Sequence, residues 1–398
     1  METENLASNE KENFAENSLF PEQEEEGNQE NFAQQTAVPE DQGVEKSKKS
    51  KRIAAFDIAK GIGILLVVFA HVNYTQASLI YIYSFHMPLF FLISGIFFDK
   101  NKYTFTQFVK NRFLRLLCPY LFFYVITLLA YVAMNFLTYG LSPELWAETK
   151  EPLVQMFIAQ NSSVVVSAPL WFVPCLFVVE VLYYVISKLK IGYVIPACLL
   201  LVVGGYLLET EFTTLQPYLP WSVDSALFAI GFYAIGNLTA PFIKKGIQLL
   251  KEHKYKLAIS LSGALVCFAI LIPLAFWNGK ISLGSKILNN GVLLYLTGVI
   301  GTAGVLFLSV ALEGVKPLVY LGKNTFCIMA VHYTIRTFMI KVFEKLDFGY
   351  DMTNMLHTAL PFVAVLGASI VCVMIYNYAK DLFFKKIKAK GQKECKSC

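Results

Sequence analysis

Window after window of about twenty residues in this chain carries almost no charge, and that pattern limits the possible folds more than any other feature. Wound as an α-helix, a stretch of that length spans the ~30 Å hydrocarbon core of a bilayer. With 56% hydrophobic residues and a mean hydropathy of +0.51, the chain is more apolar than a soluble globular domain. The expected fold class is all-α integral membrane, with about ten transmembrane helices. Their approximate positions are 53–75, 79–98, 113–138, 170–187, 191–208, 222–243, 257–276, 290–312, 317–340 and 358–380.

Charge sets the expected orientation. Residues 1–50 hold 13 acidic and 4 basic side chains, whereas 51–398 hold 30 Lys/Arg against 16 Asp/Glu. With the N-terminus inside, the inner segments carry Lys100, Lys102, Lys110, Arg112, Lys188, Lys190, Lys244, Lys245, Lys251, Lys254, Lys256 and the Lys-rich end from Lys385 to Lys396. The outer segments keep only Lys150, Lys280, Lys286, Lys341 and Lys345. This positive-inside bias puts both termini in the cytoplasm, as an even number of spans requires. The outer loops 139–169 and 209–221, rich in Pro, Ser, Thr, Glu and aromatics, suit contact with a polar ligand.

Three regions follow: an acidic cytoplasmic tail over 1–52, a membrane domain over 53–380 and a basic cytoplasmic tail over 381–398. The acidic tail is poor in large apolar residues and is expected to be disordered. It has no secretory-signal pattern, so the first span is expected to act as an uncleaved targeting element. Six of the eight cysteines are scattered through apolar stretches as small hydrophobes. The C-x-x-C of Cys395 and Cys398 is a weak metal or redox signal, and the end is not a prenylation box.

The first span carries ionisable groups that are expensive in hydrocarbon, at about +2.5 to +3.5 kcal/mol for an Asp or Lys near a helix centre. They are Asp57, Lys60 and His71. Lys60 and His71 lie eleven residues apart, three turns plus roughly 20°, so they share a helix face about 16 Å apart. Asp57, one turn before Lys60, falls on the same side. A membrane helix keeps such a polar stripe where it lines a cavity, binds something or reacts.

In the second span, F-H-M-P-L-F-F-L-I-S-G (Phe85 to Gly95) places His86 at a depth comparable with His71, beside the helix break of Pro88. Two imidazoles at similar depth on adjacent helices suit proton handling near neutral pH. The bland alternative for each is a hydrogen-bonded structural residue. Arg112 and Arg115, one turn apart at the cytoplasmic mouth, fit either a diphosphate or a nucleotide 3′-phosphate, or anchorage at anionic headgroups.

Trp171, in L-W-F-V-P, fits an interfacial belt. Glu180, three turns deeper, is an acid in need of a Lys or Arg partner. Asp224 either orients a hydroxylated ligand or caps a helix. His332 and Arg336, four residues apart behind Lys323 and Asn324, mark a shared polar cavity. His253 and His357 are expected to be solvated. No nucleotide-binding loop, nucleophile elbow, nucleic-acid pattern or metal-spaced cluster occurs, and no internal repeat of the kind many transporters carry.

Taken as an ordered set, these residues resemble the acyltransferase-3 family of polytopic membrane enzymes, and within it the single-domain branch similar to fucose 4-O-acetyltransferases. The resemblance covers about 53–380. Lys60-x10-His71 matches the family's basic-x10-His element. The F-H-M-P-L-F-F-L-I-S-G segment, Arg112-x-x-Arg115 before Pro119, the L-W-F opening and L-G-K-N-T…H also fit. One departure is Lys60, where many members have Arg.

The resemblance implies an O-acyltransferase of the cell membrane that moves an acetyl or other short acyl group from cytoplasmic acyl-CoA to an extracytoplasmic carbohydrate hydroxyl. No permanently bound cofactor and no metal is implied; acetyl-CoA is the donor substrate. Lys60, Arg112 and Arg115, with Asp57 balancing Lys60, would hold the donor. His71 would be the general base or carry a transient acyl group, with protonated His86 or a backbone N–H at the Pro88 break meeting the oxyanion. Trp171, Glu180, Asp224, His332 and Arg336 would face the acceptor. The other partner is the lipid bilayer, and a homo-oligomer is left open. The competing class is a transporter or flippase for a glycan precursor or small polar solute, which also needs polar stripes and broken helices; a sensor or scaffold using the acidic tail ranks last.

Overall fold

A helix that cannot hydrogen-bond water in the bilayer must satisfy its backbone internally, and the chain meets that demand with helices almost throughout. The computed structural model describes residues 53–73, 75–159, 166–210, 219–285, 287–346 and 353–396. The acidic tail and Cys398 lie outside them. Ten helical stretches are long and apolar enough to cross a bilayer, from Ala54–Val72 to His357–Phe383. Among the described residues the one strand-like feature is an isolated bridge between Ser282 and Ile287.

Helix α1 (Ala54–Val72) is the first span. Its end is tied down by Asn73, whose Nδ2 donates to Thr358 Oγ1 at 2.9 Å while its Oδ1 accepts from the Thr75 amide. The second span is two helices, α2 (Gln76–Tyr83) and α3 (His86–Ile96). Pro88 explains the break, because its missing N–H leaves the Ser84 carbonyl without an intrahelical donor. Thr297 Oγ1 supplies that donor at 3.2 Å.

The third span begins earlier than hydropathy suggests. Thr104 caps α4 (Phe105–Arg112) in a reciprocal box with Gln107. The chain then widens into a π turn (Phe113–Leu117) before α5 (Cys118–Tyr139). Helix α6 (Pro143–Ile158) turns back alongside α5. Tyr131 donates to Glu148 Oε2, Tyr124 to Pro152 O and Tyr120 to Met156 O. Falling numbers on α5 meet rising numbers on α6, so the two run antiparallel.

A 3-10 turn (Ala168–Trp171) leads into α7 (Phe172–Ser187), and α8 (Ile191–Thr210) follows. A second 3-10 turn (Pro220–Ser222) opens the 30-residue α9 (Val223–Glu252). Helix α9 is the central post, packing on α3, α7 and α8. The α3–α9 contact works because Gly95 and Gly236 face the partner backbone: a Cβ there would lie 2.0 Å from Tyr233 O and 2.1 Å from Leu92 O. Small residues at helix crossings allow this approach in membranes.

Helices α10 (Lys256–Asn278) and α11 (Gly291–Ala311) form a hairpin locked by Asn278, Asn289 and Asn290. The expected ninth span divides at Asn324 into α12 (Lys316–Lys323) and α13 (Thr325–Lys345). Asn324 is held at the break by its bond to Tyr320 O and by Asn377 Nδ2 at 3.0 Å. Helix α14 (Met355–Lys396) carries the last span and continues into the basic tail.

Candidate active site

Two polar centres sit along the bundle, joined by the length of α1. The first lies near the end that the lysine distribution assigns to the cytoplasm. Lys60 Nζ meets Asp57 Oδ1 at 3.0 Å, with the carboxylate almost fully buried. Gly322 of α12 presses on the same turn: a Cβ there would be 1.8 Å from Asp57 O. Helix α12 is therefore seated on the α1 backbone beside the ion pair.

Arg112 Nε lies 3.1 Å from buried Glu180 Oε2, and its guanidinium covers the Phe108 ring at 5.1 Å. The Nε–Oε2 contact is an ion pair rather than an aligned hydrogen bond. Arg115 lies on the π turn, hydrogen-bonds Tyr103 and is within electrostatic reach of Glu180. The arginines thus straddle an α/π junction instead of sharing one regular α-turn, and Glu180 has in Arg112 the cationic partner its place in a span calls for. π turns of this kind recur at functional sites.

The second centre forms around His71. Its Nδ1 is 2.7 Å from Val67 O. A carbonyl can only accept, so Nδ1 carries the proton and Nε2 keeps its lone pair. His332 repeats the arrangement, with Nδ1 3.0 Å from Ile328 O. Its ring is fully buried and its Nε2 has no hydrogen-bond partner. The His71 and His332 rings meet edge to face at 5.2 Å. Tyr333 adds an edge contact to His71 at 5.7 Å, and the Arg336 guanidinium lies 5.4 Å from the Tyr333 ring centre.

His86 also ties Nδ1 to its own helix, 2.8 Å from Ile82 O, and packs on Tyr83 at 4.9 Å. It lies within electrostatic reach of His71. The imidazole in ring contact with His71 is nevertheless His332, a pairing that depth on adjacent helices did not suggest. The Pro88 break releases the Ser84 carbonyl, which accepts from Thr297, and it starts a new helix at His86 whose first N–H groups have no intrahelical acceptor.

Trp171 is not a belt residue. It is 7% exposed because its 3-10 turn is drawn into the bundle. Ser167 Oγ donates to Ala330 O at 2.9 Å and Thr334 Oγ1 to Val166 O at 3.0 Å, fastening this segment on either side of His332. Asp224 holds the turn before α9, where Oδ2 accepts from Leu219 N and Oδ1 from Ser225 N. Neither Ser167 nor Tyr333 stood out in the sequence; Tyr333 is the residue after His332, and Ser167 joins the site through its bond to Ala330 O. Among the described residues, no group of three or more His, Cys, Asp or Glu could hold a metal ion.

Among the described residues, an all-helical bundle with ten membrane-length helices, and with His86 and His332 buried among them, defines an integral membrane protein. The acyltransferase domain model of the acyltransferase-3 family matches residues 53–378, and the chain belongs to that family. It is a membrane acyltransferase. No curated protein and no solved structure gives a match.

Proposed function

We propose that this enzyme moves an acetyl group from cytoplasmic acetyl-CoA to a hydroxyl of a cell-envelope carbohydrate on the opposite face of the plasma membrane, with His71 as general base. The observation that carries the reading is the His71 tautomer. Its Nδ1–H is committed to Val67 O, so Nε2 is the basic atom. In the direct route Nε2 takes the hydroxyl proton as the oxygen bonds to the thioester carbon. The carbon–sulfur bond breaks and the proton passes to the departing thiolate. A transient acyl-His71 would use the same lone pair.

Donor phosphates would lie at the inner centre, on Arg115, Lys60 and the Arg112 nitrogens that point away from Glu180. Arginine forks bind phosphate oxygens bidentately, and Glu180 would orient Arg112 for that task. The acceptor would approach His332, Arg336 and the Trp171 turn. Family membership favours this reading over a transporter, and the contact of half-buried His71 with buried His332 supports a reacting centre.

The test compares the O-acetyl content of surface glycans in cells with and without the gene, and with His71→Ala at equal protein level. The expected result is loss of O-acetyl in both the deletion and the variant. Parental O-acetyl content in the His71→Ala cells would remove the base assignment, and unchanged glycans in the deletion would remove the acceptor class.

A further inference from the structure

Beside the inner centre, on the outer flank of α4, the bundle surface is recessed. A groove of about 510 Å³ is lined by Phe105, Thr106, Val109, Lys110, Phe113, Leu114, Phe177 and Val181. That volume lies within the range of small-molecule sites, ~300–1,000 Å³. One wall is α4 with the first residues of the π turn; the other is α7. Phe113 and Phe105 are about half exposed, so the groove opens sideways rather than into the bundle.

Its polarity is graded. Thr106 and Lys110, four residues apart on one face of α4, are exposed at the end that the charge distribution places inside. From there the lining is apolar as far as Phe177, whose ring meets Trp221 at 5.9 Å on the far side. An amine and a hydroxyl at the membrane surface, followed by an apolar trough running toward the bilayer centre, complement one class of molecule. We propose that this groove holds an anionic phospholipid of the inner leaflet, its phosphate at Lys110 and Thr106 and one acyl tail along Val109, Phe113, Leu114, Val181 and Phe177. The headgroup charge matches Lys110, the cation that lines the groove, and Lys100, Lys102, Arg112 and Arg115 lie near it along the chain.

The site does not depend on the acyl-transfer reading. A tail in the groove would press on the π turn and on α7 at Val181, next to Glu180, and so brace the Arg112–Glu180 pair from the lipid side.

The experiment reconstitutes the full chain in vesicles of phosphatidylcholine with one-fifth phosphatidylglycerol, extracts it gently and identifies retained lipid by native mass spectrometry. The wild type is expected to keep one phosphatidylglycerol about fivefold in preference to phosphatidylcholine, the size of one lysine's attraction to anionic lipid. Val181→Trp, which fills the trough, should lose the bound lipid. Lys110→Gln should keep a lipid but lose the preference. Leu200→Trp on lipid-facing α8 should match the wild type. Retention of the two lipids by wild type in the four-to-one proportion of the vesicles overturns the proposal even if Val181→Trp fails to fold. Retention that survives Val181→Trp also overturns it, as does a dimer that this variant splits, since a second copy would then be the occupant.

Discussion

His71 has meaning through the atoms that fix it. Its Nδ1 bond to Val67 O leaves the lone pair on Nε2, and His332 meets its ring from α13. The inner centre is equally specific. Glu180 is 3% exposed and faces Arg112, whose side chain is 22% exposed, so removing the acid leaves a half-buried cation without its carboxylate. Glu180→Ala should therefore destabilise the protein by about 3 kcal/mol, while Arg112→Met with Glu180→Leu should cost clearly less. Thermal unfolding of both variants, and of Arg112→Met and Glu180→Leu alone, in one detergent measures this. Additive losses would show that the two side chains do not depend on each other.

At this scale the sequence was legible where chemistry is local. Asp57, Lys60 and His71 share one helix face by spacing alone. It was opaque where partners come from distant parts of the chain: nothing in one sequence says that α13 brings His332 to His71. Trp171 misled because a tryptophan near a span end has two homes, and the hydrogen bonds of Val166 and Ser167 decided for the interior.

Elements were read well as apolar spans and poorly at their interruptions. Hydropathy cannot see that Thr104 caps a helix ahead of the third span, that Asn324 breaks the ninth, or that an outer loop contains α6. These depend on caps, hydrogen bonds and close approach. Gly322→Ala puts a methyl 1.8 Å from Asp57 O. It should cost about 1–3 kcal/mol and lower acyl transfer by pushing α12 off the Asp57–Lys60 turn. Unchanged melting and unchanged transfer would mean that the α1–α12 contact is looser than described. Ala159 ends α6 in the left-handed region, at φ 51°. Ala159→Gly removes that penalty and should raise stability by about 1 kcal/mol, seen as a higher melting temperature. A lower one would show that the Cβ packing of this buried residue outweighs the strain.

Strain gathers on that same side of the molecule. Trp221 and Ser222 also have positive φ, and they donate to Phe157 O and Ala159 O at the end of α6. Non-glycine residues in such conformations cost about 1–3 kcal/mol each and persist only where surroundings hold them. Here α6, the turn before α9 and the ring of Phe177 hold one another.

For the whole molecule, ten apolar helices make the scaffold, α9 is its post, and α1 links an inner cluster of cations with an outer pair of imidazoles. Under the proposed function, that division would give a sided reaction, with donor phosphates on one face of the membrane and the acceptor hydroxyl on the other. The most direct test uses sealed vesicles holding the enzyme in one orientation, with labelled acetyl-CoA supplied only at the face bearing Lys60 and Arg115. An envelope-glycan fraction is supplied only at the opposite face. Label should reach the glycan across the sealed membrane with the wild type, and at least a hundredfold less with His71→Ala, the lower range for loss of general-base catalysis (~10²–10⁴). Equal labelling by His71→Ala, or labelling only when donor and acceptor share one face, would contradict the account.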